Sequence, residues 1–155
     1  MTFLAHGWHL GYTGEPLINE STEAWKFGPV IPRVYFAFQG FGKNPITEPY
    51  SYGFESLSSH IASTESEQDT ISKVTKGLLN GVYQQYSKYT AAQLSTLTHQ
   101  PGSPWDQVTK RYLSKGLEIP RSLVISDGVI KDYYRQKVEV NNARGNDQRR
   151  TPPSR

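Results

Sequence analysis

Four histidines, at positions 6, 9, 60 and 99, are the side chains best placed by chemistry for acid–base or metal work near neutral pH. His6 and His9 stand three residues apart in an apolar stretch. On a helix that spacing puts both imidazoles on one face, about one turn apart. Two imidazoles can join a metal site, but no HExxH arrangement accompanies them and no third ligand is identifiable. The chain has no cysteine, which removes disulfides, thiol catalysis and cysteine-based zinc or iron–sulfur sites. Gly40-Phe41-Gly42-Lys43-Asn44 has the look of a phosphate loop. It lacks the full GxxxxGK[ST] pattern and follows a helical pattern instead of a strand. A serine with His60 or Asp69 does not make a triad without geometry, and the GxSxG elbow is absent. The expectation is a protein with no catalytic residue, no metal and no cofactor.

The elements that must position these side chains read as helices. Phe3, Leu4, Trp8 and Leu10 form an apolar segment directly after Met1, with no cap before it. Either the helix begins at the terminus or a preceding element is absent. Pro16–Glu20 reads as a short extended piece, and Glu23–Gly28 as a turn or brief helix. Pro32 opens a helix over residues 33–40, ended by Gly40 and Gly42. Ile46–Phe54 reads as loop with a short strand, and Ser63–Asp69 as the approach to a helix. The clearest periodicity is Ile71, Val74, Leu78, Leu79, Val82 and Tyr86, with Glu67 and Asp69 placed against the positive helix end. Gly77 and Gly81 lie four apart inside it, a spacing that admits close approach of a neighbouring helix or is simply tolerated.

Thr90 and Gln93 form a capping box for a helix over Ala91–Thr98. Ser103 and Asp106 suggest a second box, with Pro104 at the first helical position and Trp105, Val108 and Tyr112 on the apolar side. Leu117–Pro120 reads as a short extended piece. Ser126 caps a final helix from Asp127 to about Val138, with Val129, Ile130, Tyr133, Tyr134 and Val138 as its stripe. The expected fold is mainly α: one compact domain of five to six helices over residues 1–138 with at most a small β element. Residues 139–155 read as a basic, disordered tail.

The 155 residues are 35% hydrophobic and 20% charged, with aromatic residues making up 12%, so the apolar content is unusually rich in rings. No stretch approaches the roughly 18 consecutive apolar residues of a membrane span, and no basic start leads into an apolar run as in a signal peptide. The expected location is the cytoplasm, with no membrane partner. Charge is uneven. Residues 1–100 carry 6 Lys/Arg against 8 Asp/Glu, and residues 101–155 carry 11 against 6. Lys131 and Arg135 on one helix face, with Lys137 near its end, suit phosphate contact. They equally suit the negative end of a helix, and no helix-turn-helix, zinc-finger or RRM signature supports base reading. Nucleic acid is therefore the secondary partner reading, as part of a phage or mobile-element regulator.

Aromatic residues crowd the first quarter: Trp8, Trp25, Phe27, Tyr35, Phe36, Phe38 and Phe41. A helix over 33–40 cannot turn Tyr35, Phe36 and Phe38 all toward one core. Aromatics outside a core are enriched at protein interfaces, so the expected contact is another polypeptide or a second copy of the chain in a homo-oligomer.

Several segments together resemble one family. They are Phe3-Leu4-Ala5-His6-Gly7-Trp8-His9-Leu10, Gly14-Glu15-Pro16-Leu17, and Glu23-Ala24-Trp25-Lys26-Phe27-Gly28-Pro29-Val30-Ile31-Pro32. Leu94–His99 followed by Ser103-Pro104-Trp105, then Ile119-Pro120 and Ile130, Tyr133 and Tyr134, continue the pattern. The combination resembles the Panacea domain, the SocA-like antitoxin domain also described in phage-associated proteins, over roughly residues 3–138. The resemblance implies a helical stretch before the Phe3 segment, where this chain has Met1. It also implies a non-enzymatic antitoxin that binds a cognate toxin, the product of a neighbouring gene. One branch of the family acts as a proteolytic adaptor delivering the toxin to an ATP-dependent protease. The protein-binding residues it points to are Trp25, Lys26, Phe27, Gly28 and Pro29, with His6 and Trp8 lining a groove beside them. Thr90, Gln93, Ser103, Pro104, Trp105 and Asp106 fall to caps and packing, and a structural role competes with binding at Trp25, Gly28 and Pro29.

Overall fold

Seven of the twelve residues of the first helix, α1 (Thr2–Thr13), are buried. The helix is therefore a core element with little solvent face. The structure, a computed structural model, describes residues 1–42, 44–47 and 71–148, with side chains to 144. The expectations for most of Ile46–Phe54, for Ser63–Asp69, and for His60, Lys43, Glu67 and the arginines at 149, 150 and 155 lie outside the described residues.

The chain continues through β1 (Thr22–Trp25), β2 (Gly28–Val30), α2 (Pro32–Phe38) and a 3-10 turn over Gln39–Phe41. Beyond residue 70 come α3 (Lys73–Tyr86), α4 (Ala91–Thr98), α5 (Pro104–Leu113), β3 (Val124–Ile125) and α6 (Asp127–Gln148). Six helices and one small, unclosed sheet make the described fold mainly α, as the periodicities imply. No described helix is long and apolar enough to cross a membrane.

The main packing is α1 against α6. Gly7 and Gly11 sit under Tyr134. A Cβ on Gly7 would come within 2.6 Å of three atoms of the Tyr134 ring, and one on Gly11 would lie 2.8 Å from the Tyr134 backbone carbon and from its Cβ. Removing both side chains lets the helices meet almost backbone to backbone. Phe3 and Trp8 close on the same ring edge-on, at 6.3 and 5.3 Å between centroids. Ile130, Leu4, Leu10, Ala24, Val82, Trp105 and Ile125 complete the core.

Residues 23–28, expected as a turn or brief helix, form an antiparallel hairpin instead. Glu23 pairs with Val30, Ala24 with Pro29 and Trp25 with Gly28, leaving Lys26 and Phe27 as the loop. β1 pairs on its other side with β3, Thr22 opposite Ile125, giving the order β2-β1-β3. Four residues of strand are too few for alternation to show, and the stabilising partner lies about a hundred positions away. Pro29 is acceptable because β2 is an edge strand. No strand forms at Pro16–Glu20, and the later strand lies at 124–125 instead of 117–120.

Two further expectations change. On α3 only Val82 is buried, while Leu78, Leu79 and Tyr86 are half-buried and Ile71 and Val74 exposed. Its apolar stripe faces an open trough between α1, α3 and α6. α6 does not stop at Val138 but runs ten residues further to Gln148. Residues 139–148 contain no proline and a single glycine, Gly145, so no proline breaks the helix there even though residues 139–144 are all exposed.

Two outcomes follow from the crossing. Gly7→Ala and Gly11→Ala each lower stability, toward the upper end of the ~1–3 kcal/mol typical of overpacking. In denaturant double-mutant cycles with Tyr134→Ala, Gly7→Ala couples strongly, because its clash is with the ring. Gly11→Ala does not couple, because the backbone and Cβ it meets remain. Burial pushes the Tyr134 phenol far above its usual range, with Tyr86 and Tyr133 adding to the shift. A raised folded value means the neutral phenol's stabilisation is complete below an unfolded value of about 10 and declines as pH rises beyond it. Alkaline unfolding followed by circular dichroism should therefore be shallower above about pH 10 in Tyr134→Phe than in the parent.

Candidate functional site

The hairpin loop is held by its main chain. The Trp105 indole donates to the Trp25 carbonyl at 2.8 Å, and the Ser95 hydroxyl donates to the Phe27 carbonyl at 2.9 Å. Between them His99 Nε2 faces the Lys26 carbonyl at 3.4 Å, while His99 Nδ1 donates to the Ser95 carbonyl at 2.7 Å. Two of three consecutive carbonyls are thus held by side-chain donors, Trp105 of α5 and Ser95 of α4, and the His99 ring lies against the one between them. Gly28 follows at φ +120, and a Cβ there would lie 2.7 Å from Thr98 Oγ1. Both backbone angle and space demand glycine.

The supporting platform is itself tied down. Ser103 is buried, donates to the Thr98 carbonyl at 2.7 Å and accepts from the Asp106 amide at 3.2 Å. Pro104 is buried behind it, and the Trp105 ring packs on His99 at 3.9 Å between centroids. Thr90 and Gln93 form the expected reciprocal box. Ser103 and Asp106 do not. The Ser103 amide is already given to the Gln100 carbonyl, so the Asp106 carboxylate accepts from the Gly102 amide instead.

With the backbone fixed, the side chains at the tip face outward. Phe27 is 79% exposed, and the Lys26 ammonium lies over its ring at 5.7 Å. Trp25 is half-buried and donates to Glu23 Oε2 at 2.8 Å, which sets its ring angle. It meets Tyr35 and Phe36 edge-on at 5.0 and 6.3 Å. α2 buries none of its residues, so its rings remain surface, as the helical geometry requires. Trp25 and Phe36 form one side of an open groove of about 910 Å³, faced by Leu113, Leu117, Ile119 and Pro120. Glu23, Lys26, Glu118 and Arg121 also line it. Ser122, at φ +56, is the non-glycine residue with left-handed backbone at its edge.

His6 and Trp8 do not line this groove. His6 is fully buried, with Nε2 donating to Asp127 Oδ1 at 3.1 Å and Nδ1 without a hydrogen-bond partner among the described residues. It joins α1 to the first turn of α6. Trp8 lies on a separate trough, donating to the Tyr86 hydroxyl at 3.0 Å. His9 Nδ1 donates to the Glu15 carbonyl at 2.8 Å, and its Nε2 meets the Thr75 hydroxyl at 3.1 Å. Among the described residues no three His, Asp or Glu side chains gather as metal ligands. The far wall from Leu113 to Arg121 went unseen in sequence. Its signal was a set of aliphatic residues in a stretch without helical period.

The family model "Antitoxin SocA-like, Panacea domain" matches residues 1–106. Antitoxin SocA of Caulobacter vibrioides (strain NA1000 / CB15N) is 36% identical over 142 residues, covering 90% of this chain and 71% of that protein. The chain belongs to the SocA-like Panacea-domain family. No solved structure matches it. The family match contains the hairpin and the Ser95, His99, Ser103 and Trp105 anchors, but ends before the far wall. The two most distinctive segments of the Panacea resemblance, Glu23–Pro32 and Leu94–Trp105, are thus the two halves of one structural unit.

Ser103→Ala removes a cap and a buried bond together, so its cost should reach about 2 kcal/mol. Thr90→Ala, at an exposed cap, should cost about 0.5–1 kcal/mol. Urea titrations of the two variants side by side measure the difference.

Proposed function

We propose that this Panacea-domain protein is an antitoxin that neutralises a cognate toxin, the product of a neighbouring gene, by direct binding in the cytoplasm. The observation that supports it is Phe27, a large ring left 79% exposed on a turn whose carbonyls and glycine fix its position. A rigid, exposed aromatic beside an apolar groove and a lysine is the composition of an interface anchor. The groove gives the toxin an apolar cleft to fill, and the mixed charges at Glu23, Lys26, Glu118 and Arg121 give register. The reading assigns the chain a binding step and no catalytic one. Delivery of the bound toxin to an ATP-dependent protease would use the same step.

Co-expression with the neighbouring gene product tests this. The parent chain should restore growth and co-purify with the toxin. Lys26→Glu and Phe27→Ala, both at exposed positions, should keep the parent's melting temperature and weaken binding at least about tenfold, on the scale of a hot-spot residue. A shortened toxin half-life on co-expression would add the adaptor role. A neighbour that is harmless alone and does not associate with the chain would sink the antitoxin reading.

A further inference from the structure

A second surface lies away from the hairpin groove and shares no residue with it. α1, α3 and α6 enclose two adjoining hollows of about 640 and 550 Å³. Both include Trp8, Gln85 and Asn141, so they form one trough. Its α3 wall carries Gly77 and Gly81, the pair singled out by their spacing. An added Cβ at either would meet nothing within 4 Å. These glycines therefore do not serve packing among the described residues, and each weakens α3 relative to alanine. Val74 beside them is 65% exposed, and Val140 on the opposite wall 49%.

The charges lining the trough have one sign. Among the described residues, Lys137 and Arg144 are its ionised ones, and no Asp or Glu lines it. Neither α1 nor α3 contains an acidic residue, and the α6 acids with described side chains, Asp127, Asp132 and Glu139, are not among the lining. The floor is apolar and glycine-relieved along a helix of ~21 Å, so the shape suits a helix more than a phosphate backbone. We propose that the α1–α3–α6 trough is a docking site for an acidic amphipathic helix of a partner protein. Such a helix would lay an apolar i, i+4 stripe over Gly77 and Gly81 and its carboxylates against Lys137 and Arg144. Because the two surfaces are separate, a toxin on the hairpin groove and this partner can be held together.

The chain has no cysteine, so Gly81→Cys introduces a unique thiol. It should be labelled rapidly by a maleimide in the free protein. A synthetic Glu/Leu amphipathic helix should protect it. The same apolar stripe with Lys in place of Glu should not, and neither should a random DNA duplex. Lys137→Glu with Arg144→Glu should reverse the preference between the two peptides. Gly81→Leu should raise the melting temperature while weakening the acidic peptide at least about tenfold. Phe27→Ala should leave that binding unchanged, which separates this site from the toxin site. The proposal fails if the introduced thiol is already protected in the free chain, which would place a second copy or the chain's own residues 48–70 there. It also fails if both peptides protect equally, or if DNA protects better than the acidic peptide.

Discussion

Tyr134 crossing the two glycines of α1 is the contact from which the rest of the structure takes its position. Because a Cβ at Gly11 would overlap the backbone of α6, the two helices have essentially one distance at which they can meet. α6 is entered directly from β3, and β3 pairs with β1. The crossing therefore places the sheet, and the sheet places the hairpin. α3 is added to the other side of α1 by the Trp8 and His9 hydrogen bonds to Tyr86 and Thr75, with Val82 the one α3 residue that is buried. α1 thus lines the trough through Trp8 and Tyr12 and positions the hairpin only by way of α6 and β3, while its own histidines face inward.

What was legible in the sequence was local. Thr90 and Gln93 sit three apart and cap each other, so the α4 start could be read from four residues. The final helix stripe of Ile130, Tyr134 and Val138 is buried where its spacing put it. The hairpin was missed because Thr22–Trp25 gains its identity from Leu123, Val124 and Ile125, not from its own four residues. Ser103 caps α5, but the reciprocal half of the box does not form, since it needs a free amide at the cap and the Gln100 carbonyl takes that of Ser103. His6 was misplaced for a related reason. Its position on a helix said which face it shares, while the burial of that face depended on Asp127, 121 residues away.

The exposed rings around the hairpin carry a different lesson. A helix as short as α2, with no buried residue, is held by neighbours and not by a core stripe of its own. Tyr35 and Phe36 lean on Trp25, whose ring angle Glu23 sets and whose carbonyl Trp105 holds. The aromatic surface is therefore ordered from beneath, rings upon Trp25 and the Trp25 main chain upon a buried tryptophan.

That order runs through main-chain atoms. Trp105 and Ser95 donate to the carbonyls of Trp25 and Phe27, the His99 ring lies against that of Lys26, and Gly28 supplies the backbone angle that no other residue adopts easily. None of these ties depends on what the side chains at 26 and 27 are. The turn can thus keep one shape while its tip changes chemistry, so presentation and recognition are separable in this fold. Preorganisation of this kind reduces the ordering cost of binding whichever partner the tip contacts. The helical platform of α4 and α5 then acts as the fixed part of the site. Residues 26 and 27, with the groove wall from Leu113 to Arg121, are where a change of partner would be written.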